Sequence, residues 1–192
     1  MMGKVLLFIY NDMADFEFSY ATHLLGHELG KQVVVAAYDK SPVVSKGGIT
    51  YLPHTTIAEV DANEFEGFII PGGWNPVVKQ EILDLINQFY QQDKLLAAIC
   101  AGPRYFAKAG ILDKVKYTTS IVEWNEMRCE AFKEEDPFPR QNFVNERVVR
   151  DKNVITSKGI SFVDFGIEVA NYFGMFKTED EKLELYKTIL DK

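Results

Sequence analysis

Cys100 is the residue whose surroundings most strongly indicate chemistry. It follows the apolar run 95–99 and precedes Ala101, Gly102 and Pro103, so a predicted buried strand leads directly into a predicted helix. Small neighbours suit a tight strand-to-helix turn of the nucleophile-elbow type, and proline is tolerated in the first helical turn. Such a turn holds the thiol at a helix N-terminus, where exposed amides favour the thiolate. The alternative interpretation is a buried structural cysteine.

Two other segments are predicted to lie at the same edge of the sheet. Gly72 and Gly73 close a predicted strand and leave bare backbone amides that could stabilise an oxyanion. Glu17 follows the first predicted strand, although an acidic residue is also common in the first turn of a helix. Like Cys100, both segments follow carboxyl ends of predicted parallel strands. We therefore expect them to meet Cys100 at the edge where open α/β sheets bind ligands. Trp74 either walls this pocket or packs over the sheet edge.

The expected reactive group is a thiolate beside an uncharged carboxyl. An ionised Glu17 would raise the pKa of Cys100, whereas a protonated carboxyl would donate a hydrogen bond to the thiolate and lower that pKa. We therefore expect a neutral Glu17, a charged Cys100 and coupled titration of the two. Such a thiolate can attack an electrophilic carbonyl, or it can react with peroxide to give sulfenate or sulfinate.

Alternating strands and helices must position these groups. Buried apolar runs predict strands at 5–10, 33–37, 68–70 and 95–99, helices at 14–30, 77–91 and 101–109, and hairpins at 43–52 and 148–155. This alternation predicts an α/β fold with a mostly parallel central sheet and helices on both faces. The segment 130–140 is predicted to be a surface excursion, and helices at 162–173 and 179–190 end the chain. No repeat or linker is visible, so residues 1–192 are expected to form one domain.

Composition excludes several classes of protein. The chain has 192 residues, 47% of them hydrophobic and 26% charged, which is typical of a folded soluble domain. Its net charge of −7 argues against nucleic acid or an anionic membrane as a partner. Two cysteines exclude a disulfide scaffold and a four-thiolate zinc site, and they indicate a reduced, cytoplasmic protein. The apolar N-terminal run is too short for a membrane span.

His23 and His27 are spaced so that both could bind a metal from one helix face. The helical wheel places them opposite the apolar side of that helix, and no third ligand is evident. We therefore interpret them as part of a polar helix face and expect neither a metal site nor a cofactor.

Several motifs resemble those of the ThiJ/PfpI superfamily, particularly its deglycase-like branch within the class I glutamine amidotransferase-like fold. The motifs are Phe16-Glu17, Ile70–Gly73, the AAICAGP segment Ala97–Pro103, Lys116–Thr119 and Val154–Gly159. The resemblance covers nearly the whole chain and implies a flavodoxin-like three-layer sandwich. It further implies that Cys100 is the nucleophile, that Glu17 touches its sulfur, and that the chain is a homodimer. By the same resemblance, Gly72, Gly73 and Ala101 supply backbone amides to the substrate pocket.

The sequence departs from the resembled families at their histidines. Ser120 stands where the deglycase-like branch commonly has a histidine, and Ala101 stands where the protease-like branch has one. The chain has no histidine after His54, so a conventional Cys-His dyad has no obvious second member.

Three functions remain open. The first is a glyoxalase- or deglycase-type enzyme that acts on small reactive carbonyls or their adducts, with Cys100 as nucleophile and Glu17 moving protons. The second is a stress-response redox sensor or chaperone-like protein in which oxidation of Cys100 is the functional event. An amidase- or peptidase-type hydrolase is disfavoured because no general base is identifiable.

Overall fold

The strands and helices follow the alternation that the sequence predicts. The computed structural model describes residues 3–190. The strands are β1 (Lys4–Phe8), β2 (Gln32–Ala37), β3 (Val43–Val44), β4 (Thr50–Tyr51), β5 (Thr55–Thr56), β6 (Gly67–Ile70), β7 (Leu95–Ile99), β8 (Val148–Asp151) and β9 (Val154–Ser157). The α-helices are α1 (Phe16–His23), α2 (Gln80–Gln91), α3 (Pro103–Lys108), α4 (Glu126–Phe132), α5 (Phe162–Tyr172) and α6 (Glu179–Leu190).

Seven strands form a mostly parallel central sheet in the order β5-β2-β1-β6-β7-β9-β8, with β8 antiparallel to β9. Strands β6 and β7 are buried along their whole length, as expected for strands covered on both faces. In the sheet, the step from β1 to β2 runs toward one edge and the step from β6 to β7 runs toward the other edge. Because both crossovers are right-handed, α1 and α2 lie on opposite faces of the sheet. The predicted α/β fold with a mostly parallel sheet is therefore confirmed, as are the two predicted hairpins.

Helix boundaries differ from the prediction where side chains bind backbone amides. Helix α2 begins at Gln80 instead of residue 77, because the Asn75 carboxamide oxygen accepts from the Val77 amide and the Lys79 amide donates to the Tyr38 hydroxyl. Both bonds hold the preceding segment in a non-helical conformation. The single helix predicted over 14–30 is α1 followed by a π-helical turn, Leu24–Glu28.

The segment 130–140 is more than a surface excursion, so that prediction was incomplete. Helix α4 ends at Phe132, and both Phe132 and Phe138 are buried against Trp124. The sequence did not reveal this packing, because charged residues separate Phe132 from Phe138 and the two do not repeat at the spacing of one helix face. No helix of residues 3–190 is long and apolar enough to cross a membrane.

A fully buried arginine joins the segment after β6 to the helix that follows the predicted nucleophile. Arg104, in α3, is 1% exposed and pairs with Glu134 at 2.6 Å. Its guanidinium also donates to the carbonyls of Asn75 and Pro76 and stacks on Phe132. One side chain in α3 therefore binds groups from two other segments that are distant from it in sequence.

We predict that Arg104→Met destabilises the protein by about 2–4 kcal/mol, because it leaves two carbonyls and part of a buried ion pair without a donor. The free energy of unfolding in urea measures this loss. Arg150→Met is the matched control, since Arg150 also shares its glutamate with a lysine but is partly exposed. It should cost less than about 1 kcal/mol. Equal losses in the two variants would contradict this account of Arg104.

Candidate active site

Cys100 lies directly after β7 in a backbone conformation that few residues adopt. Its φ of +62° is in the left-handed region, where a residue with a side chain is strained. Hydrogen bonds on both sides hold this conformation: the Cys100 amide donates to the Ser157 carbonyl at 2.8 Å, and the Cys100 carbonyl accepts from the Thr119 hydroxyl at 2.6 Å and the Ser120 amide at 3.1 Å. The predicted strand-to-helix elbow is therefore present.

Two glycines allow Glu17 and Cys100 to approach each other. A Cβ on Gly72 would lie 2.5 Å from the Cys100 Cβ and 2.7 Å from Glu17 Oε2. A Cβ on Gly159 would lie 2.7 Å from Glu17 Oε1 and 3.1 Å from the Cys100 sulfur. Any side chain at either position would push these two groups apart. Gly159 belongs to a motif noted in the sequence, but nothing in the pattern identified it as a neighbour of the sulfur.

Glu17 is a buried carboxyl in direct contact with the cysteine. Its side chain is 1% exposed, accepts a hydrogen bond from the Gly72 amide at 2.7 Å and is hydrogen-bonded to Cys100. Burial raises the pKa of Glu17 to about 7, against the opposing effect of these two bonds. The expected contact is present, and the raised pKa agrees with the expectation of a neutral Glu17 up to that pH.

The expectation of a standing thiolate is not supported. Burial raises the pKa of the Cys100 thiol to about 12, and the negative charge of Glu17 is the second cause of the rise. The Ser120 hydroxyl and the Ala101 amide act in the opposite direction. Above pH 7 the pair therefore carries one negative charge, which rests mainly on Glu17, because the pKa of Glu17 is about 7 and that of Cys100 is about 12. The sulfur becomes anionic when its proton moves to Glu17.

The expected role of the Gly72 amide needs correction. This amide is already bonded to Glu17, because a buried carboxyl requires a donor, so it is not free to bind substrate. Gly73 and Met13 form a β-bridge in which the flanking residues make the hydrogen bonds, so the Gly73 amide points away from Met13. Within residues 3–190 this amide has no acceptor. The Ala101 amide is directed at the sulfur.

Ser120 occupies the position where the resembled branch has a histidine. Its hydroxyl oxygen accepts from the Gly159 amide at 2.9 Å, and its hydroxyl hydrogen-bonds to the Cys100 sulfur. The hydroxyl has one hydrogen and two lone pairs, so it can still donate to the sulfur while it accepts from the Gly159 amide. A serine hydroxyl stabilises a negative sulfur in this way, but it does not act as the general base that an imidazole would be.

The remaining candidates are exposed side chains. Trp74 is half exposed, with the Lys46 ammonium 5.7 Å from its ring centroid, so it is not packed flat over the sheet edge. His23 and His27 are exposed, as expected, with their rings stacked at 5.2 Å. The described part of the chain contains no cluster of three residues that could hold a metal.

Comparisons with known proteins agree with this geometry. Residues 3–171 match the model of the DJ-1/PfpI family. The chain is 30% identical to the deglycase PfpI of Pyrococcus furiosus over 121 residues, which are 62% of this chain and 72% of that protein. It is 26% identical to the uncharacterised protease YoaZ of Bacillus subtilis over 182 residues, 90% of this chain and 84% of that one.

Solved structures show the same likeness. A DJ-1 superfamily protein from Agrobacterium tumefaciens superposes with a TM-score of 0.79 at 26% identity, covering 97% of this chain and 98% of that one. A ThiJ/PfpI family protein from Bacillus anthracis gives a TM-score of 0.81 at 26% identity, with 97% and 90% covered.

We predict that Glu17 makes the protein less stable as pH rises. Its pKa is about 7 in the folded protein and 4.5 when unperturbed, so the folded state binds the extra proton between these values. The resulting stability is complete below pH 4.5 and is lost as pH rises through 7, a change of up to about 3 kcal/mol. Glu17→Gln should remove most of this dependence when urea unfolding is compared at pH 5 and pH 8.

Glu59→Gln is the control for this measurement. The pKa of Glu59 is lowered to about 2 by its bonds to Lys40, Thr56 and Thr55, so both its folded and unfolded values lie below pH 5. Its substitution should leave the difference between pH 5 and pH 8 unchanged. If the wild type is equally stable at the two pH values, Glu17 does not hold a proton in the folded protein.

Proposed function

This chain belongs to the DJ-1/PfpI family, and we propose that it is a cysteine-dependent enzyme acting on small reactive carbonyls or their adducts. In this proposal Cys100 is the nucleophile and Glu17 moves the protons. The observation that carries it is the contact between the Glu17 carboxyl and the Cys100 sulfur, with the Ala101 amide beside the sulfur. The deglycase names of several relatives support an enzymatic role and a small-molecule substrate.

The first step is addition of the sulfur to a carbonyl. Above pH 7 Glu17 is ionised and accepts the thiol proton as the sulfur bonds to the aldehyde carbon of an α-ketoaldehyde such as methylglyoxal. The electrons of the carbonyl double bond move to oxygen, where the amides of Ala101 and Gly73 are available as donors. Glu17 then returns the proton to this oxygen, which gives a neutral hemithioacetal.

The second step moves a proton between the two carbons. The Glu17 carboxylate removes the proton from the former aldehyde carbon and delivers it to the neighbouring carbon. The hydroxyl proton of the former aldehyde carbon passes to the oxygen of that neighbouring carbon, so the hemithioacetal becomes a thioester of the 2-hydroxy acid. Water then cleaves the carbon–sulfur bond and the thiol recovers its proton. The sum is one ketoaldehyde plus one water to one 2-hydroxy acid, with no external oxidant or reductant.

A peptidase reaction is supported less well, although some relatives are named as proteases. Cleavage of an amide requires a general acid that protonates the departing amine, a role that histidine usually fills. The sulfur here contacts Glu17 and Ser120, whereas the His54 ring accepts from the Val35 amide in another part of the sheet. The single carboxyl is better suited to carbonyl chemistry, in which no amine must leave.

The proposal predicts that the wild type converts methylglyoxal to lactate and that Cys100→Ala does not. Glu17→Gln should lower kcat by about 100-fold or more, because general acid–base catalysis is lost. Cys129→Ala is the matched control, since Cys129 is exposed and its substitution should leave the rate unchanged. Enzymatic detection of lactate measures all four proteins. Equal turnover by wild type and Cys100→Ala would refute the proposal.

Oxidation of Cys100 as the functional event is the second candidate. It is favoured by the three donors that surround the sulfur, namely the Ser120 hydroxyl, the Ala101 amide and the protonated Glu17 carboxyl, which would also stabilise sulfinate oxygens. It predicts that limiting peroxide adds the mass of two oxygen atoms at Cys100 before Cys129 reacts. Peptide mass spectrometry measures this order. Selective oxidation without methylglyoxal turnover would favour the sensor, and oxidation of Cys129 first would exclude it.

A further inference from the structure

A cavity of about 210 Å³ lies beside the candidate active site, between the carboxyl ends of β1 and β2. The buried Tyr10 and the half-buried Tyr38 supply aromatic walls, and the segment before α2 forms one side of the opening. Cys100, Glu17 and Ser120 do not line it. Carboxyl ends of parallel strands are where open α/β sheets bind ligands, so this cavity has the position of a binding site without belonging to the site described above.

The rim of the cavity carries one cation and one anion that are not paired. Lys79 lies with its ammonium 4.6 Å from the Tyr38 ring centroid, and within residues 3–190 it has no carboxylate in ion-pair contact. Asp39 lines the same cavity and accepts from the Ser41 amide at 2.8 Å. The bonds to Ser41 and, to a smaller extent, the Lys79 charge lower the pKa of Asp39, so this carboxylate is ionised at neutral pH.

Two carboxamides add donors to the rim. The side-chain oxygen of Asn11 accepts from the Val44 amide, and that of Asn75 accepts from the Val77 amide, both at distances below 3.0 Å. These bonds fix which end of each carboxamide faces the backbone. The NH2 groups of Asn11 and Asn75 have no acceptor in the described part of the chain and remain available to a ligand.

The cation and the NH2 groups on the rim match a ligand carboxylate, and the Asp39 carboxylate matches a hydrogen-bond donor next to it. We propose that the cavity binds a small α-amino or α-hydroxy carboxylic acid without reacting with it. Lys79 and the NH2 groups of the two asparagines receive the carboxylate, and Asp39 accepts from the ammonium or hydroxyl on the α-carbon. A dicarboxylate would bring a second negative charge to Asp39, and a ligand without a donor would leave Asp39 unused. The small volume restricts the remainder of the ligand to a short side chain.

The test is calorimetric titration of the wild type with L-alanine, L-lactate and propionate. Alanine and lactate supply the two kinds of donor, and propionate has the carboxylate alone. We expect binding of alanine, lactate or both, and weaker binding of propionate. Lys79→Gln should weaken binding of the preferred acid about tenfold, and Asp39→Asn should weaken it while leaving propionate unchanged.

Two further variants separate this cavity from the candidate active site. Lys177→Gln removes an exposed lysine that does not line the cavity and should leave binding unchanged. Binding should also persist in Cys100→Ala, because the sulfur is not part of the cavity. The inference is overturned if neither acid binds, if Lys79→Gln and Asp39→Asn have no effect, or if binding disappears in Cys100→Ala. None of these outcomes depends on whether the protein turns over methylglyoxal.

Discussion

The contact between a buried carboxyl and a partly buried sulfur is the constraint on which the rest of this structure depends. Neither Glu17 nor Cys100 ionises easily at its position, because burial raises the pKa of both groups. Because the two groups are in contact, the site needs to hold only one negative charge, and a proton that leaves the sulfur can move to the carboxylate beside it. The left-handed backbone at Cys100 and the glycines at 72 and 159 all serve this approach. The local strain at the elbow is therefore tied to a particular pair of side chains.

The surrounding fold keeps this contact in place through interactions that are long-range in sequence. Arg104 lies one turn after the elbow, in α3, and donates to the carbonyls of Asn75 and Pro76, so it ties the segment after the glycines to the helix after the elbow. Glu134, which also pairs with Lys108, connects the same arginine to the segment after α4. The segment after the glycines, helix α3 and the segment after α4 are thus joined through one buried side chain.

The sequence predicted the parts of the site that depend on strand order. Cys100, Glu17 and the glycines at 72 and 73 all follow the carboxyl ends of parallel strands, and apolar runs identify those strands without knowledge of side-chain positions. What the sequence could not predict depends on contacts through space. The Gly72 amide is consumed by Glu17, and the protonation of Cys100 follows from the depth at which the sulfur is buried. The burial of Arg104 depends on a glutamate thirty residues away, which no local pattern could connect to it.

The serine at position 120 limits the chemistry that this site can perform. An imidazole beside the sulfur would accept the thiol proton and then donate it to the leaving group, as histidine does in hydrolases. Ser120 can hydrogen-bond to the sulfur, but, unlike an imidazole, its hydroxyl is not basic enough to take the thiol proton. Each proton removed from sulfur or carbon must therefore pass through Glu17, one at a time. A single carboxyl with a pKa near neutrality suits a reaction that returns every proton it takes, such as an internal rearrangement of a carbonyl adduct, better than one that releases a basic leaving group.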